Sequence, residues 1–521
     1  VADTTHEASD QNKEGKYIPK SYQFERDMDK EPLNDRNDTL EFAERSNEHF
    51  VYEDIDKLIN TEEGRKVLAD MLRVFFTDQK DRIDALEAYS KGRNKTILQG
   101  RRRIEQNKAD YRISHNYGGY ISDFITGFIL GNPLTVGSDL EKSNDVNDIE
   151  DIHFGNDVDA LNYDLGYDTS RYGRAFELHY RNENKEDKIA LINPDEIFVI
   201  RTADVTKKII AGVHCPVYNG RVHLTIYTDT HVIKFESFKK GAIELRESGR
   251  NNHMYGMVPV VEWWNNRYRA GDFESVIPNI DAYDSAQSDT ANYMSDLNDA
   301  MLVISGDIES SGLTNDDFAT MAQANIMALE SGRTADGKES KLTAEYLYKQ
   351  YDVQGTEAYK DRILNDIFKL SKVPNMDDEN FGGNLSGIAI EHKLISLKQT
   401  QAIKENYFVK ALRRRYQLIE NIHRKLHDTE IQADALTFTF HPNLPQDIWA
   451  EVEKFVQNGG ELSQETLTEL ASFTDNDQEI ERLETEMKRQ AEQRDNMRPA
   501  PRVPANDVED EGDGETDEEP R

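Results

Sequence analysis

The sequence predicts an α+β chain that is mainly helical, and three observations predict it. Tyr117, Tyr120, Ile121, Phe124, Ile125, Phe128 and Ile129 recur at i, i+3, i+4, i+7, i+8, i+11 and i+12, the period of a helix with one apolar face. From Ala175 to Ser248 the pattern changes to short β-rich runs separated by Asn-Gly and other turn residues. Helical patterning then returns and holds from Ser386 to His427, a length of about 60 Å at about 1.5 Å per residue.

Taken in order, the first 45 or so residues mix Asp, Glu, Lys and Asn with scattered apolar residues and no sustained period, which reads as a flexible arm. The helix at Tyr117 is stopped by Gly131, Asn132 and Pro133. The β-rich runs are Phe176–Tyr180, Ile197–Arg201, Val222–Tyr227 and His231–Phe235, an antiparallel sheet region. Between Asp272 and Leu302 a helix is expected whose two faces differ. Asp281, Asp284, Asp289, Asp296 and Asp299 fall within an arc of roughly 140°, opposite Ile280, Tyr283, Met294, Leu297 and Met301. One face packs; the other is a carboxylate stripe.

Met301–Ser305 and Tyr346–Tyr351 then read as strands flanking a short helical piece, Asn315–Met327. A second helix runs from Thr356 to Leu370 and is broken over Pro374 to Asn384, where a proline and the pair Gly382 and Gly383 cannot sit inside a regular helix. The long helix after that break exceeds what a compact domain needs and suggests a strut. Beyond it, Gln446–Gln457, Gln464–Phe473 and Gln478–Gln493 read as short helices, followed by an acidic tail from Asp507 to Glu519.

The formal net charge is -36, the reverse of what a phosphate-neutralising protein needs. An acidic wall repels a polyanion, and it also serves ordinary solubility; charge alone does not choose between them. Cys215 is the only cysteine, so an intrachain disulfide and a thiolate zinc site are both excluded. The most apolar run, Tyr120–Leu130, holds Asp123 and is far shorter than the ~20 residues a bilayer crossing needs, so no membrane partner is expected.

Catalytic chemistry has no positive sign. Gly332 to Glu339 carries two glycines and Lys338 at phosphate-loop spacing, but Glu339 stands where a hydroxyl should hold magnesium, so the run reads as an Asp-Gly turn. No histidine or serine spacing matches a metalloprotease or a nucleophile elbow. Neither a catalytic residue, a metal site nor a cofactor is expected. Basic clusters occur at Arg101–Arg103 and at Lys410, Arg413, Arg414 and Arg415, suited to phosphates or to acidic neighbours in the same or an adjacent subunit.

Four collinear segments carry a resemblance. Tyr117 to Pro133 (YGGYISDFITGFILGNP), Tyr172 to Glu177 (YGRAFE), Asp281 to Ala300 (DAYDSAQSDTANYMSDLNDA) and Pro374 to Gly387 (PNMDDENFGGNLSG) resemble the signatures of the SPP1-type portal proteins of tailed phages, over roughly residues 50–495. The resemblance implies the portal fold, a ring around a central channel. It makes 50–270 with the helix 387–427 a wing, 271–302 and 351–373 two stem helices and 303–350 a clip. Residues 428–496 become a crown, while the flexible acidic arm 1–49 and the disordered acidic tail 497–521, both read from composition, have no family motif to place them.

The same resemblance implies that residues 374–386 are a tunnel loop. Asn375, Met376, Asp377, Asp378, Glu379, Asn380, Phe381, Gly382, Gly383 and Asn384 would project into the channel, the glycines giving backbone freedom and the carboxylates resisting adhesion to DNA. In such a ring the stripe Asp281 to Asp299 would face the channel or a neighbour's basic surface. The implied partners are further copies of the chain in a homododecamer, double-stranded DNA, the terminase large subunit, a head-to-tail adaptor, and the major capsid and scaffolding proteins. The implied place is a capsid vertex of the virion, after assembly in the host cytoplasm. The rival readings are a nuclease or ATPase of the packaging apparatus and another ring-forming connector.

Overall fold

The computed structural model describes residues 44–99, 109–138, 144–297, 301–306, 317, 320–321, 326–330, 343–347, 352–375, 394–426 and 431–443. The chain divides into two compact units, Val1–Asn443 and Leu444–Arg521. All described residues belong to the first unit. The expected helices after Gln446, the acidic tail, Arg101–Arg103, Gly332–Glu339 and Met376–Asn384 lie outside the described residues.

Strand β1 (Phe50–Val51) leads into α1 (Ile55–Asn60) and α2 (Glu62–Val74). Both helices start on side-chain caps: Asp54 accepts from the Asp56 and Lys57 amides, and Thr61 from the Gly64 amide. One wide turn of π-helix (Phe75–Gln79) joins α2 to α3 (Lys80–Ser90), followed by α4 (Lys95–Leu98). Next come α5 (Tyr117–Leu130), β2 (Thr135–Ser138), α6 (Asn144–Asn156) and α7 (Val158–Tyr172). The helix over Tyr117–Leu130 is the one expected from its period. It lies close against α7 at Gly166, where a Cβ would come within 2.3 Å of Leu130.

Strands β3 (Arg174–Arg181), β4 (Asp187–Ile192), β5 (Ile197–Arg201), β6 (Ile209–His214), β7 (Val217–Tyr218), β8 (Arg221–Val222), β9 (Thr225–Tyr227), β10 (His231–Phe235), β11 (Phe238–Lys239), β12 (Glu247–Asn252) and β13 (Val260–Trp264) follow. The largest sheet has the order β1-β5-β6-β9-β10-β12. It is antiparallel except where β1 runs parallel to β5. The helical segment Ile55–Gln79 covers it: Leu58, Leu68, Phe75 and Phe76 pack on Phe198, Ile200, Val213 and Ile226. Cys215 is buried in this core, and burial pushes its thiol well up. The run expected as Val222–Tyr227 is split, because Arg221–Val222 pairs with β7 and β11 while Thr225–Tyr227 joins the large sheet.

Helix α8 (Ile277–Leu297) starts with Pro278 in its first turn, where a missing amide proton costs little. Strands β14 (Met301–Gly306), β15 (Ile326–Glu330) and β16 (Thr343–Leu347) form a sheet in the order β15-β14-β16. Here two expectations are corrected. Ile326 and Met327 open a strand parallel to β14 rather than end a helix, a short apolar run being ambiguous by period alone. The third strand of this sheet, Thr343–Leu347, is fixed by pairing with β14 and starts before the expected Tyr346; residues 348–351 lie outside the described residues.

Helix α9 (Val353–Ser371) packs along α8, burying Ile363, Ile367 and Phe368. Helix α10 (Ile395–Leu426) is about 48 Å long. Its second half is no exposed strut: Phe408, Leu412, Tyr416 and Ile419 lie in a core with Trp263, Leu161 and Leu165. The last strand, β17 (Leu436–Thr439), pairs antiparallel with β2. Residues 431–443 therefore belong with the first compact unit, which ends at Asn443. The arm is likewise shorter than 49 residues, since the Asn47 side chain donates to the Tyr268 and Arg269 carbonyls at 2.8 Å.

Candidate functional site

The carboxylate stripe of α8 turns inward at its N-terminal end. Asp284 is 0% exposed and is taken up inside the chain, while Asp281 is partly buried. The cause is the extended segment 109–116, which has no strand partner among the described residues and whose amides need acceptors. Asp284 Oδ1 accepts from His115 N at 3.0 Å, Ser288 Oγ from Ile113 N at 2.9 Å and Asn292 Oδ1 from Tyr111 N at 2.7 Å. The register follows from geometry. Four residues of helix rise about 6 Å and two residues of extended chain about 6.6 Å, so 284, 288 and 292 meet 115, 113 and 111 in step.

The same face is closed from the other side. Asn94 Nδ2 bridges Asp281 Oδ1 (2.8 Å) and Asp284 Oδ2 (2.9 Å), and the Tyr89 hydroxyl donates to Asp281 at 2.8 Å. Burial raises the Asp281 carboxyl, and the bonds from Tyr89 and Asn94 offset part of that rise. Asp289 is exposed, Asp296 is partly buried, and Asp299 lies outside the described residues. Of the expected apolar face, Ile280 and Tyr283 are buried but Met294 is 45% exposed.

The basic cluster of α10 also separates into two kinds. Arg415 is buried and grips Glu177 of β3, with Nη2 2.6 Å from Oε2 and Nε 3.2 and 3.1 Å from the two carboxylate oxygens, while Nη1 donates to Asn162 at 2.6 Å. Burial pushes the Glu177 carboxyl up, but Arg415 and His179 outweigh it and hold the group below its usual range. Arg414 donates to the Val260 and Val258 carbonyls at 3.2 and 3.0 Å. A role for Arg414 and Arg415 on phosphates or at a neighbour is therefore corrected: both are spent inside the chain. Lys410 and Arg413 are exposed.

Sequence reasoning missed the charge frame built around Glu262 of β13. Glu262 of β13 is buried between Arg201 and Arg269, which outweigh the cost of burial and hold its carboxyl well below the usual range. Arg82 meets Glu274 with Nε at 3.0 Å and Nη2 at 2.7 Å, and Arg174 donates to Gln79 at 2.8 Å. The π-turn puts Gln79 in place for that bond. Gly173 takes φ +81 at the end of α7, where a Cβ would stand 1.9 Å from the Arg269 carbonyl oxygen. The legible signal was Glu177 and Glu262 standing inside apolar strands, a pattern that asks for a buried cation.

At the expected tunnel loop, α9 closes on Lys372 in a left-handed turn and Val373 is buried; the chain is described again at Leu394, also buried. Both ends of the segment are thus fixed to the body. Of the loop, Pro374 and Asn375 are described; residues 376–386 lie outside. Among the described residues, no group of three or more His, Cys, Asp and Glu side chains is placed to hold a metal ion. Nor is any described helix long and apolar enough to cross a membrane.

The chain belongs to the phage portal protein family of the SPP1 Gp6-like type, whose model matches residues 76–493. It is 25% identical over 422 residues to the portal protein of Bacillus phage SPP1, covering 76% of this chain and 80% of that relative. It is 20% identical over 362 residues to the portal protein of Clostridium phage phiCD119, covering 64% and 78%. A solved chain from the neck of an empty GTA particle computed with C6 symmetry aligns at a TM-score of 0.39 and 12% identity, covering 68% of this chain and 89% of that one.

Proposed function

We propose that copies of this chain close into a ring, twelve-membered as the family resemblance implies, and pass double-stranded DNA along its axis at one capsid vertex. The observation that carries this reading is the family match over residues 76–493. In it, α8 and α9 act as the paired stem, β14–β16 belong to the clip, and the large sheet with α10 and residues 431–443 forms the wing. Residues 374–386 serve as the loop facing DNA, with Asp377, Asp378 and Glu379 lowering adhesion to phosphates. Energy for packaging comes from a terminase large subunit docked on the clip, which an adaptor later replaces. Major capsid and scaffolding proteins surround the ring.

Particle mass and negative-stain imaging of the purified protein test the ring; a chain that stays monomeric in every assembly condition, virion included, removes it. Deleting Asp377–Gly383 is expected to leave assembly intact and to reduce packaged DNA, and a normal DNA content would take the loop out of the mechanism. Turnover of ATP, or of DNA with magnesium, by the purified protein would replace this reading with an enzymatic one.

A further inference from the structure

Copies of a subunit with a formal charge of -36 repel one another, so assembly must place cations where chains meet. On α10 the exposed Lys410 holds its ammonium 4.8 Å from the centre of the partly buried Trp264 ring, and Arg413 is exposed one turn further on. Tyr407 lies 6.2 Å from the same ring and the Arg201 guanidinium 5.2 Å. Beneath it the charges do not cancel. Arg82, Arg174, Arg201, Arg269 and Arg414 face two carboxylates, Glu262 and Glu274. Burial first, and the neighbouring guanidiniums after it, hold Arg174 to about 9 and Arg414 to about 10.

The junction of α6 and α7 has the opposite character. Glu150, Asp151, Asp157 and Asp159 are exposed there, and Phe154 stands among them 90% exposed. The basic edge belongs to α10 and β13 and the acidic junction to α6 and α7, so the two are unlike patches of one subunit. Unlike patches that meet across copies make a head-to-tail contact, the kind that closes into rings.

We propose that the Lys410, Arg413 and Trp264 edge docks on the α6–α7 junction of a second copy of this chain, with the neighbouring copy's Phe154 against the Trp264 and Tyr407 rings. The proposal rests on the ring reading above and names where its subunits meet. A phosphate backbone would satisfy the cations equally but would leave Phe154 and the carboxylates around it without a partner, so the observations favour a second copy.

The test is a charge swap in the full-length protein, with assembly followed by sedimentation. Lys410→Glu with Arg413→Glu, and separately Asp151→Lys with Asp159→Lys, are each expected to raise the subunit concentration needed for rings by about tenfold or more; the four changes together restore it. A four-fold variant no better than either pair overturns the contact, as do charge-reversed chains that assemble normally but lose DNA, which would assign the cations to phosphate. Zero-length carbodiimide coupling of wild-type rings is expected to join Lys410 to Asp151, Asp157 or Asp159 across chains. Absence of that peptide overturns the contact even if the variants misfold. A wild-type chain that never assembles overturns the ring and the contact together, whereas failure of the swap alone leaves the ring standing.

Discussion

Arg415 and Glu177 stand 238 residues apart in sequence and meet as a two-pronged pair, both side chains at most 1% exposed. The pair joins α10 to β3, and the Arg415 guanidinium lies 4.7 Å over the Trp263 ring. Removing one partner strands a buried charge, so Arg415→Met is expected to cost about 3–5 kcal/mol, while Glu177→Gln with Arg415→Met recovers much of it. Denaturant unfolding followed by tryptophan fluorescence measures both. Because the folded Glu177 carboxyl lies below its ordinary 4.5, its contribution is complete above that pH and is lost as pH falls below it. A double variant as unstable as Arg415→Met alone would contradict this account.

That pair shows where sequence reading stops. The period of Tyr117 to Ile129 fixed a helix because its partner, an apolar core, needs no identity. The stripe on α8 was visible as a pattern, but the inward turn of Asp284 was not, since Asp, Ser and Asn read as solvent-facing when hydropathy is the only guide. Their partner is the backbone of residues 109–116, which no side-chain pattern announces. The partners of Arg414 and Arg415 were hidden for the same reason: a cation's partner is chosen by folding, and Glu177 and the Val258 and Val260 carbonyls come from far along the chain. Lys410 and Arg413 stay at the surface.

The ladder on α8 predicts local effects that follow its register. Asp284→Ala is expected to raise hydrogen exchange most at the His115 amide, Ser288→Ala at Ile113 and Asn292→Ala at Tyr111, each by about 1–3 kcal/mol of lost protection. Exchange resolved by peptide and read by mass spectrometry separates the three. Uniform deprotection of the whole segment by any one variant would mean that it detaches as a unit instead of rung by rung.

Gly173→Ala tests the tightest backbone approach in the body. The position combines φ +81 with a Cβ site 1.9 Å from the Arg269 carbonyl oxygen, and that carbonyl also accepts from Arg82 and Asn47. A methyl group there displaces the loop holding Arg269, so the variant is expected to lose about 2 kcal/mol or more and to accumulate as insoluble chain. A soluble variant with the wild-type thermal midpoint would show that the loop yields without cost.

Asp168 supplies the opposite pH dependence to Glu177. Burial pushes its carboxyl up to about 7 from an ordinary 3.8; Arg171 at 3.7 Å offsets part of this, while Asp164, Glu87 and Asp195 add to it. Between those two values the folded chain keeps a proton that the unfolded chain releases, so stability falls as pH rises through the window and stays lower above it. Asparagine carries no charge to bury. Asp168→Asn is therefore expected to match wild type near pH 4 and to exceed it by up to about 4 kcal/mol near pH 8. Unfolding midpoints of both proteins measured across that range decide it, and a pH-independent difference would mean that Asp168 stays ionised in the folded chain.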